Sequence, residues 1–473
     1  MSRRIAWSVG VLGLVCLWSC AHAPPAAASG DASSNATAFV DVTVVPMDTE
    51  RLVPGQTVLV QGGRITALGP TESTPVPPGA RRIDGRGRYL MPGLADMHVH
   101  LYFMEEGDLR IFLANGVTFV RGMWGTPRDL QWRERIARGE LLGPTLVTAG
   151  TLIDGKPPTW DEGLVAETFA DGERIVLEQK KAGYDFIKVY NRLTPEAYAG
   201  VVATAKREGL PFAGHVPFSV GLEGVFAAGQ RSIEHLTGYL ESLQEENSEV
   251  RGKWDWGSRL RQIDYVDEAK LPQVVEATRQ SGIWNCPTLF LTRRYVSSEE
   301  AQVLARQPEM RFVASWVREM WEPSKDFRLK DLQAEDFARL RRRDAFLMKV
   351  TRALHDAGAR LLLGTDTGNP YVLPGFSVHE ELALLVQAGL TPYEALRAGT
   401  RDAAEFIGRL DEFGTVEPGK RADLLLLEAN PLEDVANARR RSGVMVRGRW
   451  LPEEELRAML EEVAASYASP QAR

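Results

Sequence analysis

Short apolar runs that carry a His, Lys or Asp at or near their end recur along most of this chain: Met97-His98-Val99-His100, Phe186-Ile187-Lys188-Val189-Tyr190, Ala213-Gly214-His215-Val216, Ile233-Glu234-His235-Leu236 and Gly364-Thr365-Asp366-Thr367-Gly368. A strand rises about 3.3 Å per residue and points successive side chains to opposite faces, so His98 and His100 reach one side and can share one ion. A single such end means little, because a lone His or Asp after a strand is more often a helix cap or a satisfied core group. Repetition is the constraint. Parallel strands closed into a barrel bring their C-terminal ends to one rim, where side chains so placed converge.

Strand-like and helical runs alternate between Met91 and Asp411, as βα units require. Strands are expected near Met97, Thr118, Leu146, Ile187, Ala213, Ile233, Pro287 and Leu362, and outer helices over 173–181, 195–207 and 391–407. Short β-rich runs precede this region, such as Ala38 to Val45 and Thr57 to Gln61, and return late in Ala422 to Glu428 and Val444 to Trp450. The fold class expected is therefore α/β: a (β/α)₈ TIM-like barrel over 91–411, with a small β-sandwich domain built from both termini, 38–90 plus 412–455, and a C-terminal helix or tail over 456–473. Two connections are long for barrel loops, Tyr239 to Arg279 and Thr292 to Leu354. Segments of that length are often pocket walls or lids, and Trp254, Trp256, Trp316 and Trp321 within them either line a substrate or pack the added helices.

Arg3 and Arg4 precede an uncharged run from Ile5 to Ser19, which reads as an export signal over 1–20 and is too short to span a membrane. Leu17-Trp18-Ser19-Cys20 resembles a bacterial lipoprotein cleavage box, so lipidation of Cys20 is expected, with ordinary cleavage between Ala21 and Ala28 as the alternative. Residues 21–37, rich in Ala, Pro, Ser and Gly, would be a flexible linker. The expected location is the bacterial cell envelope, periplasmic or lipid-anchored to a membrane. With Cys16 and Cys20 so assigned, Cys286 is left as a single thiol in an apolar run, without an intramolecular disulfide partner. A net charge of −7, more acidic still without the leader, argues against nucleic acid as a partner. Oligomeric state is open, a homo-oligomer included.

The order His-x-His, Lys, His, His, Asp on successive strand ends resembles the amidohydrolase superfamily. Met91-Pro92-Gly93-Leu94-Ala95-Asp96-Met97-His98-Val99-His100 with Phe186-Ile187-Lys188-Val189 is most similar to its prolidase and imidazolonepropionase-like branch, from about Phe39 to Trp450. The resemblance implies a binuclear site. His98, His100 and Asp366 would hold one divalent ion, His215 and His235 the second, and Lys188, carboxylated on its amine, would bridge them. Zinc suits this donor set, as would manganese or cobalt. The resemblance also implies a hydroxide between the ions as nucleophile, with Asp366 as the proton shuttle.

Candidate substrate-binding residues are Arg121, Tyr190 and Tyr239 near strand ends, Arg293 and Arg294 as rival carboxylate clamps, and His379 near the start of a helix after Asp366. Gly122 stands where many relatives carry Asp, so the surroundings of Arg121 differ from theirs. The favoured function is an exported, metal-dependent hydrolase of a carbon–nitrogen bond in a dipeptide or N-acyl-amino acid. A cyclic-amide or lactone hydrolase of imidazolonepropionase type needs the same strand ends. A lipid-anchored binding protein without catalysis is the remaining class, and the complete residue set speaks against it.

Overall fold

The computed structural model describes residues 36–468; the leader, Cys20 and most of the proposed linker lie outside the described residues. Strands Leu94–Val99, Val117–Gly122 and Thr145–Thr148 form one parallel sheet. Strands Ile187–Val189, Phe212–Gly214, Ser232–Glu234, Trp284–Cys286 and Arg360–Leu361 continue in parallel in a second. Parallel bridges between Ala149 and Phe186 and between Val99 and Thr367 join the two sheets on both sides, which closes the barrel.

Helix boundaries follow local chemistry. Thr168 and Asp171 form a capping box at the start of Phe169–Ala182, which ends at Gly183 with φ +90°. Thr194 accepts a hydrogen bond from Ala197 N, and Pro195 opens Pro195–Arg207 at the position where its missing N–H costs nothing. The single helix expected over 391–407 is instead two, Pro392–Ala398 and Arg401–Ile407. The break falls at Gly399 and Thr400, where the backbone packs so closely on the barrel that a Cβ on Gly399 would lie 2.4 Å from Leu363.

Both ends of the chain build one mixed, sandwich-like sheet of eight strands. Leu424–Leu427 pairs antiparallel with Tyr89–Pro92, so the late strands add to the early ones. Its interior holds Phe39, Val58, Val60, Leu424, Leu426 and Met445, and Trp450 stands edge-on to Phe39 at 5.2 Å. The helix Glu453–Ala468 then packs on the barrel through Val463, against Ile111 and Phe312. No helix among the described residues is long and apolar enough to cross a membrane.

Candidate active site

The strand ends place His98, His100, Lys188, His215, His235 and Asp366 at the base of one cavity of about 630 Å³. His98 Nδ1 lies 2.8 Å from Glu234 Oε2, His215 Nδ1 2.8 Å from Asn191 Oδ1, and His235 Nδ1 2.6 Å from Thr288 Oγ1. Each of these three imidazoles is therefore anchored through Nδ1, which leaves Nε2 as the nitrogen available to a further partner. The ring centroids of His98 and His235 are 4.6 Å apart, and those of His215 and His235 are 5.0 Å apart.

The backbone is forced where it delivers these groups. His235 has φ +58° and Asp366 φ +64°, both in the left-handed region that side-chain-bearing residues rarely adopt. Barrel hydrogen bonds hold them there: His235 N donates to Cys286 O at 2.9 Å, and Asp366 N to His98 O at 2.8 Å. Asp96 staples the first strand to the last. Its Oδ1 accepts from His98 N at 3.2 Å and Thr365 N at 3.0 Å, and its Oδ2 accepts from Thr365 Oγ1 at 2.6 Å. Burial pushes the Asp96 carboxyl up to about 7 against those hydrogen bonds.

The donor set fits a metal centre. Nε2 of His98 and of His215 and Oδ1 of Asp366 are buried without any hydrogen bond. Asp366 Oδ1 lies 3.2 Å from His98 Nε2 and 2.9 Å from His100 Nε2, yet neither approach has hydrogen-bond geometry. Orphaned polar atoms crowded together in the interior are costly unless a further group satisfies them, and a cation does so. Ligand atoms of His98, His235 and Asp366 lie within 4.8 Å of one another. Lys188 is buried at 1 % exposure, with no carboxylate within 4 Å among the described residues. Burial, aided by the charge of Arg121, pulls its ammonium down to about 8 against the fields of Glu234 and Asp366.

Of the substrate candidates, Tyr190 lines the cavity; its ring centroid lies 4.0 Å from that of His215, and Trp160 Nε1 donates to its hydroxyl at 3.0 Å. The others lie elsewhere. Arg121 is sealed inside the barrel beneath the site, donating to Glu234 Oε1 at 2.9 Å, Ser232 Oγ at 3.0 Å and Met97 O at 2.5 Å. It positions Glu234, and through it His98, instead of meeting substrate. Tyr239 is fully buried, its hydroxyl donating to Asn285 Oδ1 at 2.8 Å. Arg293 pairs with Asp344 at 3.2 Å, Arg294 stacks on Phe290 at 4.0 Å, and buried His379 contacts Asn115 O at 3.0 Å. All five fall outside the cavity: Arg121, one residue before a strand end, enters the barrel, while Tyr239, Arg293, Arg294 and His379 belong to or directly follow helices of the outer layer.

Trp254 and Trp256 line the cavity, while Trp321 packs in an outer cluster with Trp316 against it. Glu234, Asp96, Asn191 and Thr288 are supporting residues that the strand-end pattern does not single out. For Glu234 and Asp96 a signal exists, since an acid on an otherwise apolar strand beside a ligand histidine must face the barrel interior.

The closed (β/α)₈ barrel, the His/Asp cluster on its rim and the sheet shared by both termini, taken with the family match, make this a metal-dependent hydrolase of carbon–nitrogen bonds. Residues 89–451 match the amidohydrolase family, and the chain belongs to it. Among curated relatives, ochratoxinase of Aspergillus niger is 23% identical over 407 residues, covering 73% of this chain and 71% of its own. The imidazolonepropionase of Paracoccus denitrificans is 25% identical over 395 residues, covering 80% and 90%. Among solved structures, bottromycin amidohydrolase superposes with a TM-score of 0.73 at 26% identity, over 93% of this chain and 94% of its own. A Xaa-Pro dipeptidase with bound methionine has a TM-score of 0.64 at 19% identity, over 88% and 100%.

Proposed function

We propose that this chain hydrolyses an amide bond in a dipeptide or N-acyl-amino acid, with two divalent ions, zinc by preference, held by His98, His100, His215, His235, Asp366 and a carboxylated Lys188. The observation that carries this reading is the set of buried, partnerless atoms, His98 Nε2, His215 Nε2 and Asp366 Oδ1, on residues that line one substrate-sized cavity. Bound there, the ions would supply the positive charge that acidifies a water and polarises a carbonyl.

The chain's own groups do the remaining work. Lys188, whose ammonium burial pulls down to about 8, gives up its proton to solvent more readily than an exposed lysine; the neutral amine adds to carbon dioxide with loss of a second proton, and the carbamate formed is an anionic oxygen donor. Asp366, held well below the usual carboxylate range by His98, His235 and His100 despite its burial, is ionised and can take the proton of the attacking water. It then passes that proton to the amine nitrogen as the carbon–nitrogen bond breaks, because an amine leaves poorly as an anion. Tyr190, against His215 and tied to Trp160, orients the substrate.

The test is amine release by the metal-loaded protein across a panel of dipeptides and N-acyl-amino acids, with metal counted per chain for the parent and Lys188→Ala. Turnover with two ions in the parent and a loss of metal in the variant is expected. Two ions retained by Lys188→Ala would remove the bridge, and cleavage confined to cyclic amides or lactones would move the chain to the imidazolonepropionase-type reaction. The export signal and Cys20 support a lipid-anchored envelope protein; a [³H]palmitate label lost in Cys20→Ala is the corresponding check.

A further inference from the structure

Arg192, Arg259, Arg328 and Arg343 line the cavity. Arg328 donates to both oxygens of Asp326, at 3.0 and 2.7 Å, and Arg192 to Pro157 O at 3.2 Å. Arg259 and Arg343 differ from them. Among the described residues neither has a carboxylate within 4 Å, and Nε of each is buried without a hydrogen bond.

Arg294, outside the cavity and stacked on Phe290, shares this lack of a partner, but of the cavity's arginines only Arg259 and Arg343 have a buried, unbonded Nε. Arg341 and Arg342, directly before Arg343, pair with Glu300 and Asp264, and Asp344 directly after it takes Arg293. Only the member of this run that lines the cavity is left alone. Arg259 and Arg343 sit on two helices, Trp256–Arg261 and Ala334–Asp356, packed together through Leu260 and Leu340. The Arg259 guanidinium lies 5.1 Å from the ring centre of Phe218, and Phe218 stacks on Trp254 at 4.6 Å.

Nearby acids do not neutralise the pair. Glu241 is the carboxylate whose field reaches Arg343, but it stays beyond ion-pair distance and accepts from Gly238 N at 3.1 Å. The cavity's own acids are Glu162 and Asp366, and Asp366 is surrounded by imidazoles. Two neighbouring cations sunk against aromatic walls are unfavourable alone, and a ligand carboxylate offers the missing counter-charge with the planar geometry guanidinium prefers.

We propose that Arg259 and Arg343 bind the carboxylate of the substrate, so that this site selects amides with a free carboxylate on the amino-acid side of the scissile bond and an apolar or aromatic group against Trp254 and Phe218. The identity of the ligand as a substrate rests on the amide-hydrolysis reading, whereas the binding can be measured without turnover.

The experiment is calorimetric titration of the metal-loaded chain with 3-phenylpropionate and with its uncharged counterpart 3-phenylpropan-1-ol, neither of which can be hydrolysed. The parent is expected to bind the acid at least about tenfold more tightly than the alcohol. Arg259→Gln and Arg343→Gln should each lose about tenfold for the acid, with the alcohol changed by less than about twofold. Equal binding of acid and alcohol by the parent, or an acid preference that survives in both glutamine variants because the metal ions hold the carboxylate, would overturn the proposal. If a glutamine variant does not fold, Arg259→Lys and Arg343→Lys decide: a loss of at least about threefold for the acid supports the pair, and no loss overturns it. Acid preference without amine release from N-acyl-amino acids would remove the hydrolytic reading and leave the binding site standing; amine release without acid preference would do the reverse.

Discussion

The rim of the barrel and the outer wall of the cavity are built by opposite means. On the rim, side chains leave hydrogen-bonded strand ends, and three of the histidines are fixed by a second residue: His98 by Glu234, His215 by Asn191, His235 by Thr288. The wall comes from the two long connections, which fold into short helices such as Trp256–Arg261, Ser298–Leu304 and Ser315–Met320. Ion pairs near the surface tie the long helix Ala334–Asp356 to both connections, Arg339 and Arg342 to Asp264 and Arg341 to Glu300. A reaction needs atoms held to fractions of an ångström, and a closed sheet provides that. Substrate choice needs only a shaped and charged wall, which an insertion can supply without disturbing the sheet.

The largest effect should come from the rim. Asp366→Asn keeps the shape of the carboxylate and loses its basicity, so kcat on a cleavable amide should fall about 10³-fold, or roughly 4 kcal/mol, with circular dichroism unchanged. Full turnover in that variant would show that the proton travels by another group.

One layer below, Glu234→Gln would leave Arg121 buried without a counter-charge. A loss of about 3–5 kcal/mol in unfolding free energy is expected from denaturant titration at pH 7. A pH dependence follows from the same pair. Arg121 and His98 hold the Glu234 carboxyl below its ordinary value of 4.5 against the opposing effect of burial. Its folded value being the lower one, the stabilisation is fully present above about pH 4.5 and drains away as the pH falls toward the folded value. Measured on protein freed of metal by chelation, the parent should lose stability below pH 4.5 more steeply than Glu234→Gln; parallel curves would show that this ion pair contributes nothing.

Wall substitutions should act on binding alone. Trp254→Ala removes the stack on Phe218, and KM is expected to rise about three- to tenfold with kcat within twofold. A fall in kcat of the rim's size would mean that wall and rim are not separable. Least of all, Arg341→Ala breaks a half-exposed pair with Glu300 and should cost under about 1 kcal/mol in thermal denaturation.

Much of the rim is legible in the sequence. His98-Val99-His100 carries the two-residue period of a strand, and Lys188 lies between Ile187 and Val189, so the faces of these residues follow from covalent geometry. Positions next to the strand ends are not so readable. Arg121, expected at the substrate, lies instead under Glu234, because where a residue sits relative to the rim depends on strand register and barrel tilt, and these are settled by pairing with neighbours. The long connections announce their tryptophans without telling them apart: Trp254 and Trp256 face the site, while Trp321 packs against Tyr371.

Residue order alone determined the alternation of strand and helix and which groups the strand ends could offer to a cation. These are local properties: period, turn chemistry and the donor atoms of single side chains. The tertiary structure alone decided that Arg259 and Arg343, 84 positions apart in the numbering, line the same wall without a carboxylate, while every neighbour of Arg343 in its own run is paired. Charge pairing across helices is a contest among many nearby partners, and only packing settles which cation is left over.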